Sequence, residues 1–240
     1  MSEVPVEAGR LHLGERLARR VVLILSVLLL DVLVAQPPPA LAACDPNVHQ
    51  NVEGTNNGNL SVFGNRGGIF VNSGIDYPAL NDSIHRSLFV FGSSNNWVEV
   101  GWTAKNGGHT APLSYTEWKN RGVDSGIKFE QGVTIGSTPN FRVQDGDGNN
   151  LWTFFVGSTD LGQSALMNFN SGRAVTNSER RDTCDSGYAH FTSLKTCNTH
   201  NSCSWLTYGV LACYADNMPS YLFDKIDDSQ HFVRGTGVEC

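Results

Sequence analysis

Residues 97–104 read WVEVGWTA, and this short run decides the fold class. Its apolar residues are β-branched or aromatic, which favours a strand, and successive side chains of a strand point to opposite faces. One face carries three large apolar side chains suited to a core: Val98, Val100 and Trp102. The other face carries an acid between a tryptophan and small residues: Trp97, Glu99, Gly101 and Thr103. We therefore expect Glu99 to lie on the outer face of a sheet.

Similar short β-rich runs recur along the chain, separated by Gly, Asn, Asp and Ser. The strand candidates are residues 60–63, 68–71, 87–91, 97–104, 132–136, 141–144, 151–157, 188–194, 204–214 and 231–234. This spacing predicts an all-β fold, a single antiparallel sandwich of jelly-roll type. Trp152 and Trp205 are expected in its core.

The sequence DGDGNN (145–150) lies between two strand candidates and predicts a hairpin turn. Asp145, Asp147 and Asn149 also have the spacing that begins a calcium-binding EF-hand loop. The sixth position is Asn150 instead of glycine, and the twelfth is Val156 instead of a bidentate glutamate, so the turn is favoured.

The first 43 residues have the pattern of a secretory signal peptide. A basic region with four arginines precedes the apolar run Val21–Ala35, and Ala40-Leu41-Ala42 is a small-x-small cleavage site. The apolar run is too short to span a bilayer comfortably. This predicts an exported chain whose β-sandwich domain covers residues 44–240.

All six cysteines lie after this segment: Cys44, Cys184, Cys197, Cys203, Cys213 and Cys240. In an exported chain an even number predicts three disulfides, concentrated in the C-terminal region. Leu41–Cys44 also resembles a bacterial lipobox, but lipidation of Cys44 would leave five cysteines. Secretion is therefore preferred to a lipoprotein anchor at Cys44.

The predicted mature domain keeps the net charge of −6, because residues 1–43 contain four basic and four acidic residues. This balance disfavours nucleic acid and anionic membranes as partners. The cysteine intervals match no common zinc pattern, and His109, His190, His200 and His231 are dispersed. No metal or cofactor is predicted, and the expected partner is a polypeptide substrate or an extracellular ligand.

Several segments between residues 97 and 180 resemble the neprosin family of secreted glutamic peptidases. The matching elements are Glu99-Val100-Gly101-Trp102, Leu113 to Trp118, Trp152, Val156-Gly157, Leu161-Gly162, Phe169, Gly172 and Glu179. Asn177-Ser178 stand where the family usually has Gly-Gly. The resemblance implies a β-sandwich in which Glu99 and Glu179 meet in a groove as the catalytic pair.

Two carboxyl groups within about 3–6 Å split their pKa values, so that one is the general base for a water and the other the general acid. The resemblance thus implies hydrolysis of peptide bonds at acidic pH, and the strand face that carries Trp97, Gly101 and Thr103 is expected to form the floor for substrate. A non-catalytic binding module on the same scaffold, such as a lectin-like domain, stays open. So does a glycosidase, since paired carboxylates also cleave glycosidic bonds.

Overall fold

The structure is a computed structural model that describes residues 50–57, 61–73, 75, 83–104, 111–180, 188–199, 202–216 and 222–234. Two antiparallel sheets of eight strands pack as a β-sandwich, which confirms the predicted fold class. The predicted signal peptide and Cys44, Cys184 and Cys240 lie outside the described ranges. Within them, no helix is long and apolar enough to cross a membrane.

The front sheet contains the strand with Glu99. Its strands are β1 (Gln50–Asn56), β3 (Ile84–Ser93), β4 (Asn96–Ala104), β5 (Leu113–Asn120), β6 (Val123–Asp124), β7 (Lys128–Gly132), β11 (Arg173–Arg180) and β14 (Leu211–Asp216). Their order is β14-β1-β11-β3-β4-β5-β6, with β7 also paired to β5.

The back sheet covers the inner face of the front sheet. Its strands are β2 (Gly64–Ile69), β8 (Asn140–Gln144), β9 (Leu151–Val156), β10 (Thr159–Leu166), β12 (Ala189–Cys197), β13 (Trp205–Thr207), β15 (Leu222–Asp227) and β16 (Gln230–Arg234). Their order is β10-β9-β8-β2-β12-β16-β15, with β13 paired to β12.

The core lies between the sheets, where the alternation of β4 places it. Val98, Val100 and Trp102 are fully buried in the hydrophobic cluster, as predicted. The Trp102 indole N–H donates to the Phe70 carbonyl at 3.2 Å, so its polar atom is satisfied. Trp152 is buried in the same cluster, also as predicted.

One buried amide ties the two sheets together. Asn65 of β2 donates through Nδ2 to the carbonyl of Phe89 at 2.8 Å and to that of Val175 at 3.0 Å, on β3 and β11. Its Oδ1 accepts from the Tyr208 hydroxyl at 2.7 Å. Because every polar atom has a partner, this group orients the front sheet over the back sheet without an unpaired buried donor.

Residues 145–150 form the turn between β8 and β9, which pair in antiparallel register. Gly148 and Asn150 have positive φ values of 65° and 68°, and Asp145 Oδ2 accepts from the Asn150 N–H at 2.9 Å. The hairpin prediction is confirmed.

The described cysteines are bonded. Cys197 and Cys203 form a disulfide at the end of β12, and Cys213 on β14 is also disulfide-bonded. Both lie in the C-terminal region, as predicted. The expectation for Trp205 was wrong: this side chain is half-buried on the outer face of the back sheet, where it stacks against Arg66.

Candidate active site

Glu99 lies on the outer face of the front sheet, as the alternation of β4 predicts. Its neighbours across the sheet are Phe89 on β3 and Glu117 on β5. Only 4% of Glu99 is exposed, so this face is covered at Glu99 and is not an open surface. The carboxyl group is therefore an acid with little access to bulk water.

The surroundings of Glu99 favour its protonated form. Burial is the largest cause of its raised pKa, the negative charge of Glu117 is the next, and Glu179 contributes least. The Tyr115 hydroxyl donates to Glu99 Oε1, and the nearby Ser87 hydroxyl also favours ionisation, although it makes no hydrogen bond of regular geometry. Burial and like charge outweigh these two groups, so the pKa lies well above that of an ordinary carboxyl.

Tyr115 is fully buried on β5, one position across the sheet from Gly101. Its ring packs edge-on against His85, with centroids 5.4 Å apart. Burial and the adjacent Glu99 raise the pKa of the phenol well above its usual range. Tyr115 therefore remains a hydrogen-bond donor that fixes the orientation of the Glu99 carboxyl.

Gly101 allows β3 and β4 to approach closely beside Glu99. A Cβ atom at this position would lie 2.1 Å from the Arg86 carbonyl oxygen and 2.6 Å from the Ser87 Cα. Both are backbone atoms that cannot move aside at small cost. The close backbone contact by itself therefore requires a glycine at position 101, independently of any contact with a substrate.

Glu179 lies on the same face, near the end of β11. It is opposite His85 on β3, which in turn is opposite Thr103 on β4. The register separates Glu179 from Glu99 by two strand spacings, about 10 Å, across the sheet and by four residues, about 13 Å, along it. Glu117, directly opposite Glu99 on β5, is thus nearer to Glu99 in the register than Glu179 is.

Arg86 holds the backbone of Glu179 from below. Its side chain is fully buried, and Nη1 donates to the Glu179 carbonyl at 2.7 Å and to the His85 carbonyl at 2.9 Å. Its Nε donates to the Tyr188 carbonyl at 3.3 Å. These bonds fix the end of β11 against β3, and with it the direction in which Glu179 leaves the sheet.

Polar groups line the face around the two glutamates. Within the described ranges, four of their buried atoms have no hydrogen-bond partner: Asn51 Oδ1, Ser87 Oγ, Thr103 Oγ1 and Asn177 Oδ1. Buried polar atoms are normally paired, so such a concentration on one face indicates a place where another molecule or water supplies the partners. Thr103 was predicted to bind substrate, and Asn177 was not.

A groove of about 410 Å³ continues this face toward the opposite end of β11. It is lined by Glu53, Thr55, Asn57, Phe91, Arg173 and Cys213. Trp97 is opposite Phe91, and its half-buried ring packs on Phe89 with centroids 5.5 Å apart. The predicted floor residue Trp97 thus borders this groove, on the same face as Glu99.

The sequence did not indicate Glu117, Tyr115 or Ser87 as partners of Glu99. The run LSYTEW (113–118) was noted for its resemblance, and its alternation places Tyr115 and Glu117 on one face. What sets them beside Glu99 is the β4–β5 register, which the sequence of either strand alone does not contain.

Comparison with known proteins places the fold but not a family. No protein-family model and no curated protein matches the chain. The structure is similar to that of Scytalido-glutamic peptidase with a peptide-based transition-state analogue, with a TM-score of 0.52 and 10% identity over 78% of this chain and 98% of that chain.

Two other solved structures show weaker similarity. The agglutinin CG-16 from chicken liver has a TM-score of 0.41 and 10% identity, over 61% of this chain and 98% of that chain. The carbohydrate-binding module CBM66 from Bacillus subtilis has a TM-score of 0.38 and 13% identity, over 56% and 73%. The chain has a glutamic-peptidase-like fold, and function must be argued from its own residues.

Proposed function

We propose that this chain is a secreted glutamic peptidase, similar to the neprosin family, that cleaves peptide bonds at acidic pH with Glu99 and Glu179. The observation that supports this most strongly is Glu99 itself, an acid buried on the outer face of the front sheet with a raised pKa. A carboxyl that stays protonated above its usual range is suited to general acid catalysis.

Each acid has its own role in the proposed reaction. Glu179, half-buried at the end of β11, accepts a proton from a water molecule as the water attacks the peptide carbonyl carbon. Glu99 gives its proton to the leaving amine as the C–N bond breaks. Glu117 acts through Glu99, because its negative charge opposes ionisation of Glu99 and so keeps the Glu99 carboxyl protonated.

The polar lining would bind the substrate backbone. Thr103 Oγ1 and Asn177 Oδ1 are buried without partners, and amide groups of an extended peptide supply both donors and acceptors. Gly101 brings β3 and β4 together at the centre of this face, and Trp97 with the groove beyond it would hold a flanking side chain. In this proposal Trp97, Gly101 and Thr103 are the substrate-binding residues.

We further propose that residues 1–43 are removed as a signal peptide and that residues 44–240 act outside the cell. The disulfide Cys197–Cys203 fits an oxidising compartment. In this proposal Cys44 is disulfide-bonded and carries no lipid.

The test is hydrolysis of a denatured protein at pH 4 by the purified mature chain. Glu99→Gln and Glu179→Gln should each lower turnover by about 100-fold or more, the scale of a lost general acid or base. Glu130→Gln is the matched control, because burial also raises the pKa of Glu130, which lies on β7 and is not among the groups that raise the pKa of Glu99. Full activity in both site variants would contradict the proposal.

A non-catalytic binding module is the alternative function. The strand register favours this alternative. It places Glu99 and Glu179 two strand spacings and four residues apart, whereas two carboxyls that share a water must lie closer together. The peptidase mechanism therefore requires the two side chains to converge. A binding module predicts no turnover at any pH and ligand affinity that survives both substitutions.

A further inference from the structure

The groove of about 410 Å³ beside the candidate active site carries two opposite charges that are far apart. Among the described residues that line it, Arg173 is the one cation and Glu53 is the one acid. Glu53 is opposite Asn177 on β11, four residues from Arg173, so the register separates the two charged residues by about 14 Å. An anionic group of a ligand can therefore bind Arg173 without contacting Glu53.

Arg173 has no charged or hydrogen-bonded partner in the part of the chain that the structure describes. Its side chain is half-buried and makes neither an ion pair nor a hydrogen bond there, and its Nε is buried without an acceptor. The Phe91 ring lies 5.8 Å from the guanidinium carbon, and a cation–π contact leaves the N–H groups unsatisfied. A partly desolvated guanidinium without an acceptor has a free-energy cost that a bound carboxylate would offset.

The backbone at Arg173 is fixed before any ligand binds. Arg173 is opposite Phe91 on β3, at the start of the β11–β3 ladder. The preceding residue, Gly172, donates to the Val62 carbonyl at 3.0 Å and accepts from the Val62 N–H at 2.8 Å. Because these bonds order the chain on both sides of position 173, binding there has a small ordering cost.

The groove lies on the same sheet face as Glu99. Glu99 is opposite Phe89, and Phe89 is opposite Val175. Arg173 is two residues further along β11, so two strand spacings and two residues place it about 12 Å from Glu99. This is the length of about three to four residues of an extended peptide. A peptide whose scissile bond lies at Glu99 can therefore place a flanking residue at Arg173.

We propose that Arg173 binds a carboxylate of the peptide substrate, about three to four residues from the scissile bond. The carboxylate belongs to an aspartate or glutamate side chain or to the C-terminus of the peptide. A guanidinium and a carboxylate form two parallel charged hydrogen bonds, which a neutral amide cannot reproduce. As a statement about substrate specificity, this inference rests on the proposed peptidase function.

The lining of the groove favours one carboxylate over a polyanion. The single cation among the described lining residues can bind one anionic group, and Glu53 repels a second one. The neutral part of the lining includes the polar Thr55 and Asn57 and the apolar Phe91. Such a mixture suits one acidic residue of a peptide with its neighbouring amide groups.

The first test measures binding and does not require turnover. Three octapeptides of one neutral sequence are titrated calorimetrically at pH 5 into the mature Glu99→Gln protein, in which the proposed cleavage is prevented. The first peptide has an internal glutamate and blocked ends, the second has glutamine instead, and the third has glutamine and a free C-terminal carboxylate.

We expect the glutamate peptide to bind about tenfold more tightly than the blocked glutamine peptide, the scale of one charged hydrogen-bonding partner. Tighter binding of the third peptide alone would assign Arg173 to the C-terminal carboxylate. Equal affinities of all three peptides would overturn the proposal.

Two arginines provide the matched variants for this titration. Arg173→Gln should bind the three peptides equally, and Arg173→Lys, which keeps the charge without the planar fork, should retain part of the preference. Arg142→Gln is the control, because Arg142 also lies over an aromatic ring and has a buried Nε without an acceptor, but on the back sheet. A preference that survives in Arg173→Gln, or that is lost in Arg142→Gln, would contradict the assignment.

A second test separates this inference from the proposed function. Cleavage sites are mapped in a denatured protein digested by the wild-type mature chain and by Arg173→Gln. Acidic residues or peptide C-termini should be enriched at one fixed distance from the bonds cleaved by the wild type, and the variant should lose this enrichment. Cleavage without enrichment would overturn the specificity alone. Absence of cleavage would contradict the proposed function, and the binding preference would still decide the role of Arg173.

Discussion

Among single residues, Glu99 is the one whose protonation state burial changes most directly at the candidate site. A buried carboxylate loses its hydration, and the adjacent Glu117 adds a second penalty against the charge. The two hydroxyls nearby reduce these penalties without cancelling them. An acid placed this way reduces the stability of the fold at neutral pH, which is a cost that functional sites often carry.

This cost predicts how Glu99→Gln changes stability with pH. The folded-state pKa is above the unfolded value, so the folded chain binds more protons and loses stability as pH rises from about 4.3 through the folded pKa. Glutamine removes that loss. The melting temperature of the variant relative to wild type should be higher at pH 7 than at pH 4, by about 2–4 °C for each kcal/mol.

Thermal unfolding of both proteins across this range measures the effect. Glu130→Gln again serves as the comparison, because its raised pKa has burial as the leading cause without a neighbouring acid. An advantage of the Glu99 variant that is constant with pH would show that Glu99 is not held protonated by the fold.

At the scale of strands, the alternation of WVEVGWTA predicted which side chains of β4 face the core, and the core confirms it. The same pattern could not predict the partners of Glu99, because register is a property of two paired strands and is not contained in either strand alone. The position of Glu179 could not be predicted from a local pattern either. Its place on the same face as Glu99 follows from two intervening pairings, β11 with β3 and β3 with β4, which no local motif encodes.

The close approach of β3 and β4 gives a prediction at this scale. Gly101→Ala places a methyl group 2.1 Å from the Arg86 carbonyl oxygen, so the strands must separate, at a cost of about 1–3 kcal/mol. Gly132→Ala in β7 meets nothing within 4 Å and should be near neutral. Urea unfolding compares the two, and equal free energies of unfolding would show that the contact at Gly101 is not limiting.

At the scale of the whole molecule, each outer face of the sandwich has its own cluster of charged side chains. Glu99, Glu117 and Glu179 lie on the outer face of the front sheet, and Arg66, Arg142 and Lys195 lie on the outer face of the back sheet. The composition predicted only the net charge, since the positions of Arg66, Arg142 and Lys195 in one row follow from the pairing of β8, β2 and β12. Trp205 was wrongly assigned to the core, because its position beside Arg66 depends on the pairing of β13 with β12 and of β12 with β2.

We expect His231, which is buried between the sheets, to lower the stability of the fold in acid. Its ring stacks on Phe191 and Phe223 with centroids at 4.8 and 4.5 Å, and burial lowers its pKa to about 3. The unfolded chain takes up this proton near pH 6.5, so the fold loses stability as pH falls from there toward 3. The proposed activity at acidic pH would therefore take place where the fold is less stable than at neutral pH.

His231→Gln should therefore reduce the drop in melting temperature between pH 7 and pH 4, even if it lowers the value at pH 7. The half-buried His190 is the comparison, because burial also lowers its pKa and its charge is only the second cause of the lowered pKa of His231, so His190→Gln should change the drop less. An unchanged drop in His231→Gln would show that this imidazole does not limit acid stability.

In the proposed mechanism Glu99 is the protonated acid, Glu179 is the base, and Glu117 acts only through Glu99. The pH profile of kcat/KM for Glu99→Gln, Glu117→Gln and Glu179→Gln on one peptide substrate tests these roles. We expect losses of about 100-fold or more for Glu99→Gln and Glu179→Gln. Glu117→Gln should stay active with its alkaline limb moved to lower pH, because removing that charge lowers the pKa of Glu99. Abolished activity in Glu117→Gln together with full activity in Glu179→Gln would contradict this mechanism.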